Sequence, residues 1–302
     1  MLVLRQGYGP KVLGQRQELR SGAGGGGGGR YLGAMIETPA RPFGSLLTAM
    51  VTPMKDDGSI DLEAAASLAT HLVAHGHDGV VLNGTTGEAP TTHAPEKADL
   101  IRAVVEAVGD RALVLAGAGS NDTSHAVRMA QQAAEAGAHG LLVVSPYYSR
   151  PSQKGIYQHT VAVVEATDLP VMLYDVPGRT VVRYTFDTLV QLAALPQVVA
   201  VKDATGDVQA ATRVIAETPL AYYSGDDGLL LPFLSVGAVG LVSMAAHLVG
   251  DELARTIRQF ATDPAAARAS FLSAWPAITL ICGSGNGALR SKLTLALLGL
   301  IP

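Results

Sequence analysis

Cysteine occurs once, at Cys282, in a chain of 302 residues. A single thiol excludes an intrachain disulfide and a cysteine-based metal site, and it suits a reducing compartment, so a cytoplasmic protein is expected. Long apolar runs are missing as well. No stretch reaches the ~18 uninterrupted apolar residues of a bilayer-spanning helix, so no membrane partner is expected. Basic clusters interleaved with aromatics are absent and the formal net charge is -4, which argues against a nucleic-acid partner. Metal-ligand patterning is lacking too. Among the eight histidines, His71 and His75 share an i, i+4 spacing but have no glutamate partner. They read as solvated helix-face residues, and no metal is expected.

What is present is material for a large core: 48% of the residues are hydrophobic and 16% charged, which describes one globular domain. Residues 1–41 stand apart. They carry Arg5, Lys11, Arg16, Arg20 and Arg30, show no periodicity, and include an unbroken glycine run from Gly24 to Gly29. Such a segment buries too little apolar surface to order itself and reads as a disordered basic tail. Met1–Leu4 is too short for the apolar core of a secretory signal.

From Phe43 onward, short β-rich runs alternate with longer helical ones. Strands are expected at 46–51, 79–82, 112–116, 140–144, 170–174, 198–201, 221–224 and 240–242. Amphipathic helices are expected at 61–75, 95–108, 122–136, 152–166, 185–194, 207–217 and 228–236. Asp61, Asp122, Ser152 and Asp207 stand at helix starts as capping residues. Eight strands, each apolar on both faces and separated by helices, imply an α/β fold with a parallel sheet closed into a (β/α)8 TIM barrel over 42–247. An open doubly wound sheet is the alternative. A helical region, 248–302, follows.

A barrel keeps its chemistry in the loops after the carboxyl ends of its strands, and the polar motifs fall there. Asn83-Gly84-Thr85-Thr86-Gly87-Glu88 follows the second strand, Gly117-Ala118-Gly119-Ser120-Asn121 the third, and Pro146-Tyr147-Tyr148-Ser149-Arg150-Pro151 the fourth. Asp175-Val176-Pro177-Gly178-Arg179 follows the fifth and Ser224-Gly225-Asp226-Asp227 the seventh. Lys202 ends the sixth apolar run, Val198-Val199-Ala200-Val201. Burial disfavours an ammonium and lowers its pKa, giving an amine able to attack a carbonyl. The bland reading is a lysine that snorkels out of the strand or pairs with Asp203. Gly84-Thr85-Thr86-Gly87 offers backbone N–H groups and hydroxyls suited to a small carboxylate, or forms an ordinary βα turn. It lacks the Lys-Ser/Thr pair of a phosphate loop, so no nucleotide is implied. Tyr174 places a phenol near Lys202 that can relay protons, or packs as a core tyrosine. Arg179 can hold a second carboxylate bidentately, or form a surface ion pair.

Together these ordered motifs resemble those of the 4-hydroxy-tetrahydrodipicolinate (dihydrodipicolinate) synthase family, within the pyruvate-dependent Schiff-base lyases that include N-acetylneuraminate lyase. The similarity runs from about Phe43 to about Leu300. Arg179 after Pro177-Gly178 favours the synthase branch. The resemblance implies a lyase in which Lys202 forms an imine with pyruvate and the derived enamine adds to L-aspartate 4-semialdehyde, the committing step of diaminopimelate and lysine biosynthesis. It further implies a proton relay of Tyr174, Thr85 and Tyr148, with Tyr148 lent by a neighbouring subunit. Thr86 would hold the pyruvate carboxylate, Arg179 the semialdehyde carboxylate, and Gly225 and Val242 would line the pyruvate pocket. No cofactor is implied, and a homotetramer, a dimer of dimers, is. The alternatives are another pyruvate-dependent aldolase, acting on 2-keto-3-deoxy sugar acids or 4-hydroxy-2-oxoglutarate, or an inactive or regulatory homologue.

Two departures from the family pattern carry expectations. Where lysine-inhibited members supply a histidine and a glutamate to bind lysine, this sequence has Lys97 and His125, so feedback inhibition is expected to be weak or absent. Family members also continue past the Leu298-Gly299-Leu300 segment into a last helix, whereas this sequence ends at Pro302; the C-terminal region is expected to be truncated.

Overall fold

The computed structural model describes residues 40–283 and 285–302; the tail expected over the first forty residues lies almost wholly outside them. Eight parallel strands close into one barrel in sequence order: β1 Leu46–Ala49, β2 Gly79–Leu82, β3 Leu113–Gly117, β4 Gly140–Val144, β5 Val171–Asp175, β6 Val198–Asp203, β7 Ala221–Ser224 and β8 Gly240–Ser243. The closure of β1 on β8 through Leu47 and Val242 rules out the open sheet.

The helices between them are α1 Leu62–Ala74, α2 Ala94–Val108, α3 Thr123–Glu135, α4 Gln153–Val164, α5 Pro177–Thr180, α6 Phe186–Ala193, α7 Val208–Glu217 and α8 Leu230–Ser235. The expected caps are in place. Asp61 accepts from the Ala64 N–H, Asp122 from His125, Ser152 from Gly155 and Asp207 from Ala210, each satisfying an amide the first helical turn leaves free.

Strand alternation divides the core in two. Leu47, Val81, Leu115, Leu142, Met172, Ala200, Tyr223 and Val242 fill the lumen, whereas Val80, Val114, Leu141, Leu173, Val201 and Tyr222 pack outward under the helices. Below the lumen, the Tyr223 hydroxyl donates to the Gly44 carbonyl at 2.9 Å.

After β8 come α9 Ala246–Gln259, α10 Pro264–Cys282 and α11 Gly287–Leu297. They form a third cluster in which Leu253, Ile257, Phe271, Ile278 and Ile281 meet Leu46, Leu230 and Leu241. By length and composition α10 is apolar enough to cross a membrane. Its buried residues Phe271, Ala274, Ile278 and Ile281 instead pack into that cluster. The carboxylate of Asp227 joins these parts: it accepts from the Ser243 hydroxyl, from Met244 N–H at 3.1 Å, and from Cys282 Sγ at 3.3 Å.

Candidate active site

β6 does not stop where the apolar run ends. It continues through Lys202 and Asp203, held in register with β5 as Tyr174↔Lys202 and Asp175↔Asp203. Alternation therefore sends Tyr174 and Lys202 to the lumen side, as neighbours, and Asp175 and Asp203 to the helix side. Lys202 is 5% exposed, and its Nζ lies 4.2 Å from the centre of the Tyr174 ring. Among the described residues Lys202 makes no ion pair. Asp203, the expected alternative partner, accepts instead from the Tyr222 hydroxyl and from Thr205 N–H.

Over Tyr174 opens a cavity of about 600 Å³ at the carboxyl ends of the strands. Its lining includes Thr85, Tyr148, Tyr174 and Arg179, so four of the expected residues converge on one space. Arg179 sits on α5, a single helical turn where only a rigid loop was expected. Thr86 and Val242 are buried, at 4% and 1% exposure, and neither belongs to the cavity lining; Val242 packs in the lumen with Tyr174. Gly225 touches the lysine itself. A Cβ there would lie 3.1 Å from Lys202 Cε and 2.8 Å from the Asp203 carbonyl oxygen, so the absence of a side chain makes room for the lysine stem.

Backbone strain is concentrated here. Among the described residues, the non-glycine positions with positive φ are Asn83, Glu88, Tyr148, Arg150 and Val181, and all five lie in loops after β2, β4 and β5. Such conformations persist where surrounding structure imposes them, and they gather at functional sites. Tyr148, at φ 70, is 86% exposed and holds its phenol at the rim rather than in the packed core.

The cavity takes in more than the expected catalytic and substrate-binding set. His93, Lys97, Ser120, His125 and Tyr147 also line the cavity, and burial holds the Lys97 ammonium below the usual lysine range. Of the titratable groups near Lys202, the carboxyl of Asp175 is displaced furthest in the accessible range, raised to about 7 by burial first and by the neighbouring Asp203 second. The signal was there in the sequence as two acids following two strand ends, Tyr174-Asp175 and Lys202-Asp203. The pair at His71 and His75 is a helix-face feature: their ring centres are 4.4 Å apart, and His75 Nδ1 meets Asp251 Oδ2 at 2.8 Å on the surface.

The chain matches known proteins along most of its length. The model of the Dihydrodipicolinate synthetase family matches residues 42–274. A 4-hydroxy-tetrahydrodipicolinate synthase of Kineococcus radiotolerans is 50% identical over 269 residues, covering 89% of this chain and 87% of the relative. A crystal structure of dihydrodipicolinate synthase from Bacillus anthracis superposes with a TM-score of 0.82 at 41% identity, covering 86% of this chain and 89% of that one. The chloride-inhibited enzyme of Acinetobacter baumannii, complexed with pyruvate, does so with a TM-score of 0.81 at 35% identity, covering 87% and 90%. The chain belongs to the Dihydrodipicolinate synthetase family.

Proposed function

We propose that Lys202 forms an imine with pyruvate and that the derived enamine condenses with L-aspartate 4-semialdehyde. The activity is that of a 4-hydroxy-tetrahydrodipicolinate synthase, a lyase. The observation that supports the reading is the placement of Lys202: buried, without an ion pair among the described residues, and against the ring of a tyrosine that lines a large rim cavity.

The neutral Lys202 amine adds to the pyruvate ketone, and loss of water leaves an iminium whose positive charge draws electrons from the methyl group. Loss of a methyl proton gives the enamine. Its carbon attacks the semialdehyde aldehyde, forming the new C–C bond; the substrate amine then closes the ring and displaces Lys202. Each step moves a proton, and Tyr174, Thr85 and Tyr148 are the hydroxyls proposed to carry it, a role their shared cavity supports. Thr86 with the backbone of its loop holds the pyruvate carboxylate, Gly225 and Val242 bound the pyruvate pocket, and Arg179 takes the carboxylate of the semialdehyde. The lysine supplies the covalent chemistry, so the reading needs neither cofactor nor metal.

The exposure of Tyr148 supports a site completed by a second subunit, and the proposed assembly is a dimer of dimers acting in the cytoplasm on small-molecule substrates. Borohydride reduction in the presence of pyruvate tests the imine: a mass increase confined to the peptide bearing Lys202 is expected, and an unmodified Lys202 overturns it. A coupled assay comparing the semialdehyde with sugar-derived aldehydes tests the acceptor, and turnover of the sugar-derived aldehydes alone would assign the chain to another aldolase.

A further inference from the structure

One register step beyond Tyr174 and Lys202, the two central strands pair two carboxyls. Asp175 and Asp203 are opposed across β5 and β6 and are 4% and 2% exposed. Both point away from the lumen, into the layer between barrel and helices. Their surroundings are uneven. Asp203 receives the Tyr222 hydroxyl on Oδ2 and the Thr205 N–H on Oδ1 at 2.6 Å. Asp175 receives the Tyr184 N–H on Oδ1 at 3.4 Å. The cation acting on the pair from outside is Arg183, whose guanidinium is engaged with Asp207 at 3.2 Å. The phenol of the buried Tyr184 lies nearby, and Lys202 projects from the opposite face of β6.

Two ionised carboxyls side by side in a buried site repel strongly, so one keeps its proton. Asp203 holds the shorter donors, and Asp175 only the longer one from Tyr184. Burial and the Asp203 charge raise the Asp175 carboxyl to about 7, in keeping with a proton on that residue.

We propose that the Asp175–Asp203–Tyr222 cluster is a positioning clamp for Lys202 and Tyr174, with the Asp175 carboxyl held protonated beside Asp203. Asp203 follows Lys202 directly, and Asp175 follows Tyr174. The clamp thus ties together the three strand ends that set the amine against the tyrosine ring. Its backbone is fixed from both sides: Ala204 N–H donates to the Asp175 carbonyl at 2.8 Å, and Gly225 N–H to the Asp203 carbonyl at 2.6 Å. The positioning role rests on the imine chemistry proposed for Lys202; the protonation of Asp175 does not.

The test compares Asp175→Asn, which keeps a neutral polar group, with Asp175→Ala, which removes it. Pyruvate-dependent borohydride trapping at Lys202 is expected within about threefold of the parent in the Asn variant. In the Ala variant it is expected to fall by about tenfold or more, since the buried cluster loses the polar group that faces Asp203 and receives the Tyr184 N–H. Melting temperature against pH is the second readout. A carboxyl at about 7 in the folded protein and 3.8 in the unfolded chain contributes stability that is present below the lower value and lost as pH rises through the upper. The advantage of the Asn variant over the parent is therefore expected to grow across that window and to stay constant above it. An Asn variant as defective in trapping as the Ala variant overturns the positioning role of a neutral Asp175, and superimposable melting profiles overturn the protonation. A parent that traps no pyruvate at any pH removes the imine reading and the positioning role with it, while the melting profiles still decide whether Asp175 is held neutral.

Discussion

Lys292 on α11 reaches Glu88 in the loop after β2, with Nζ 2.5 Å from Oε1 and side chains 22% and 35% exposed. The contact links the last helix to the loop that carries Thr85 and Thr86. Glu88 itself has φ 57, and its N–H donates to the Thr85 carbonyl at 3.1 Å, so its side chain helps hold a strained turn. A partly exposed pair of this kind is worth about 1 kcal/mol or less. Lys292→Met is therefore expected to lower kcat/KM for pyruvate by no more than about fivefold. In a double-mutant cycle with Glu88→Gln the two losses should not add. Full additivity would mean that the ion pair does not support the loop.

Tyr174 has two separable roles. Its ring covers the Lys202 Nζ at 4.2 Å, and its hydroxyl is proposed to move protons. Tyr174→Phe keeps the first and deletes the second. Imine trapping is expected to survive while kcat falls by about 10²–10⁴-fold, the usual contribution of a positioned acid or base. Equal loss of trapping and turnover would place the hydroxyl in imine formation alone.

The alternation of strand and helix was legible because a both-faces-apolar run is hard to place anywhere except in a covered parallel sheet. β2, β4 and β7 match their expected bounds, and all four caps hold. β6 extends further than expected. The apolar run stops at Val201, yet register with β5 continues through Lys202 and Asp203, whose carboxylate finds its donors on β7 and in the following turn. The convergence of Thr85, Tyr148, Tyr174 and Arg179 was foreseeable from barrel topology, since Tyr174 ends the fifth apolar run and the other three follow strand carboxyl ends. The left-handed conformations of Tyr148 and Val181 were not foreseeable. They oppose local preference, and tertiary context imposes them.

Acid should weaken the fold through two histidines behind α1 and β1. Burial pushes His77 and His247 down to about 4. His247 Nε2 accepts from Val51 N–H at 3.2 Å while its Nδ1 meets the Met244 carbonyl at 2.8 Å. A neutral ring satisfies both contacts, and a protonated one sets N–H against N–H. Gly250 closes on His77, where a Cβ would lie 2.3 Å from Cε1. Because the folded values lie below the ordinary 6.5, this stability is present above 6.5 and is lost as pH falls toward 4. The loss is on the order of 3 kcal/mol per histidine at most. Denaturant midpoints for the parent and His77→Leu, taken at neutral and mildly acid pH, should show a smaller acid-induced drop in the variant. An unchanged drop would assign the acid sensitivity elsewhere.

Lysine is expected to be a weak inhibitor or none. The rim cavity carries His93, Lys97, His125 and Arg179 in its lining and no carboxylate among its described lining residues. An incoming ammonium therefore meets groups that are neutral or of its own sign, and like-charge contact opposes binding. Lys97 adds to this because its partly buried ammonium already lies below the ordinary lysine range, and a second cation beside it raises the cost of keeping both charged. Initial rates measured with lysine titrated into the millimolar range should stay level. If Lys97 and His125 are the cause, Lys97→Glu together with His125→Glu should create lysine sensitivity without altering pyruvate trapping. Strong inhibition of the parent enzyme would show that the cation is received by groups other than these.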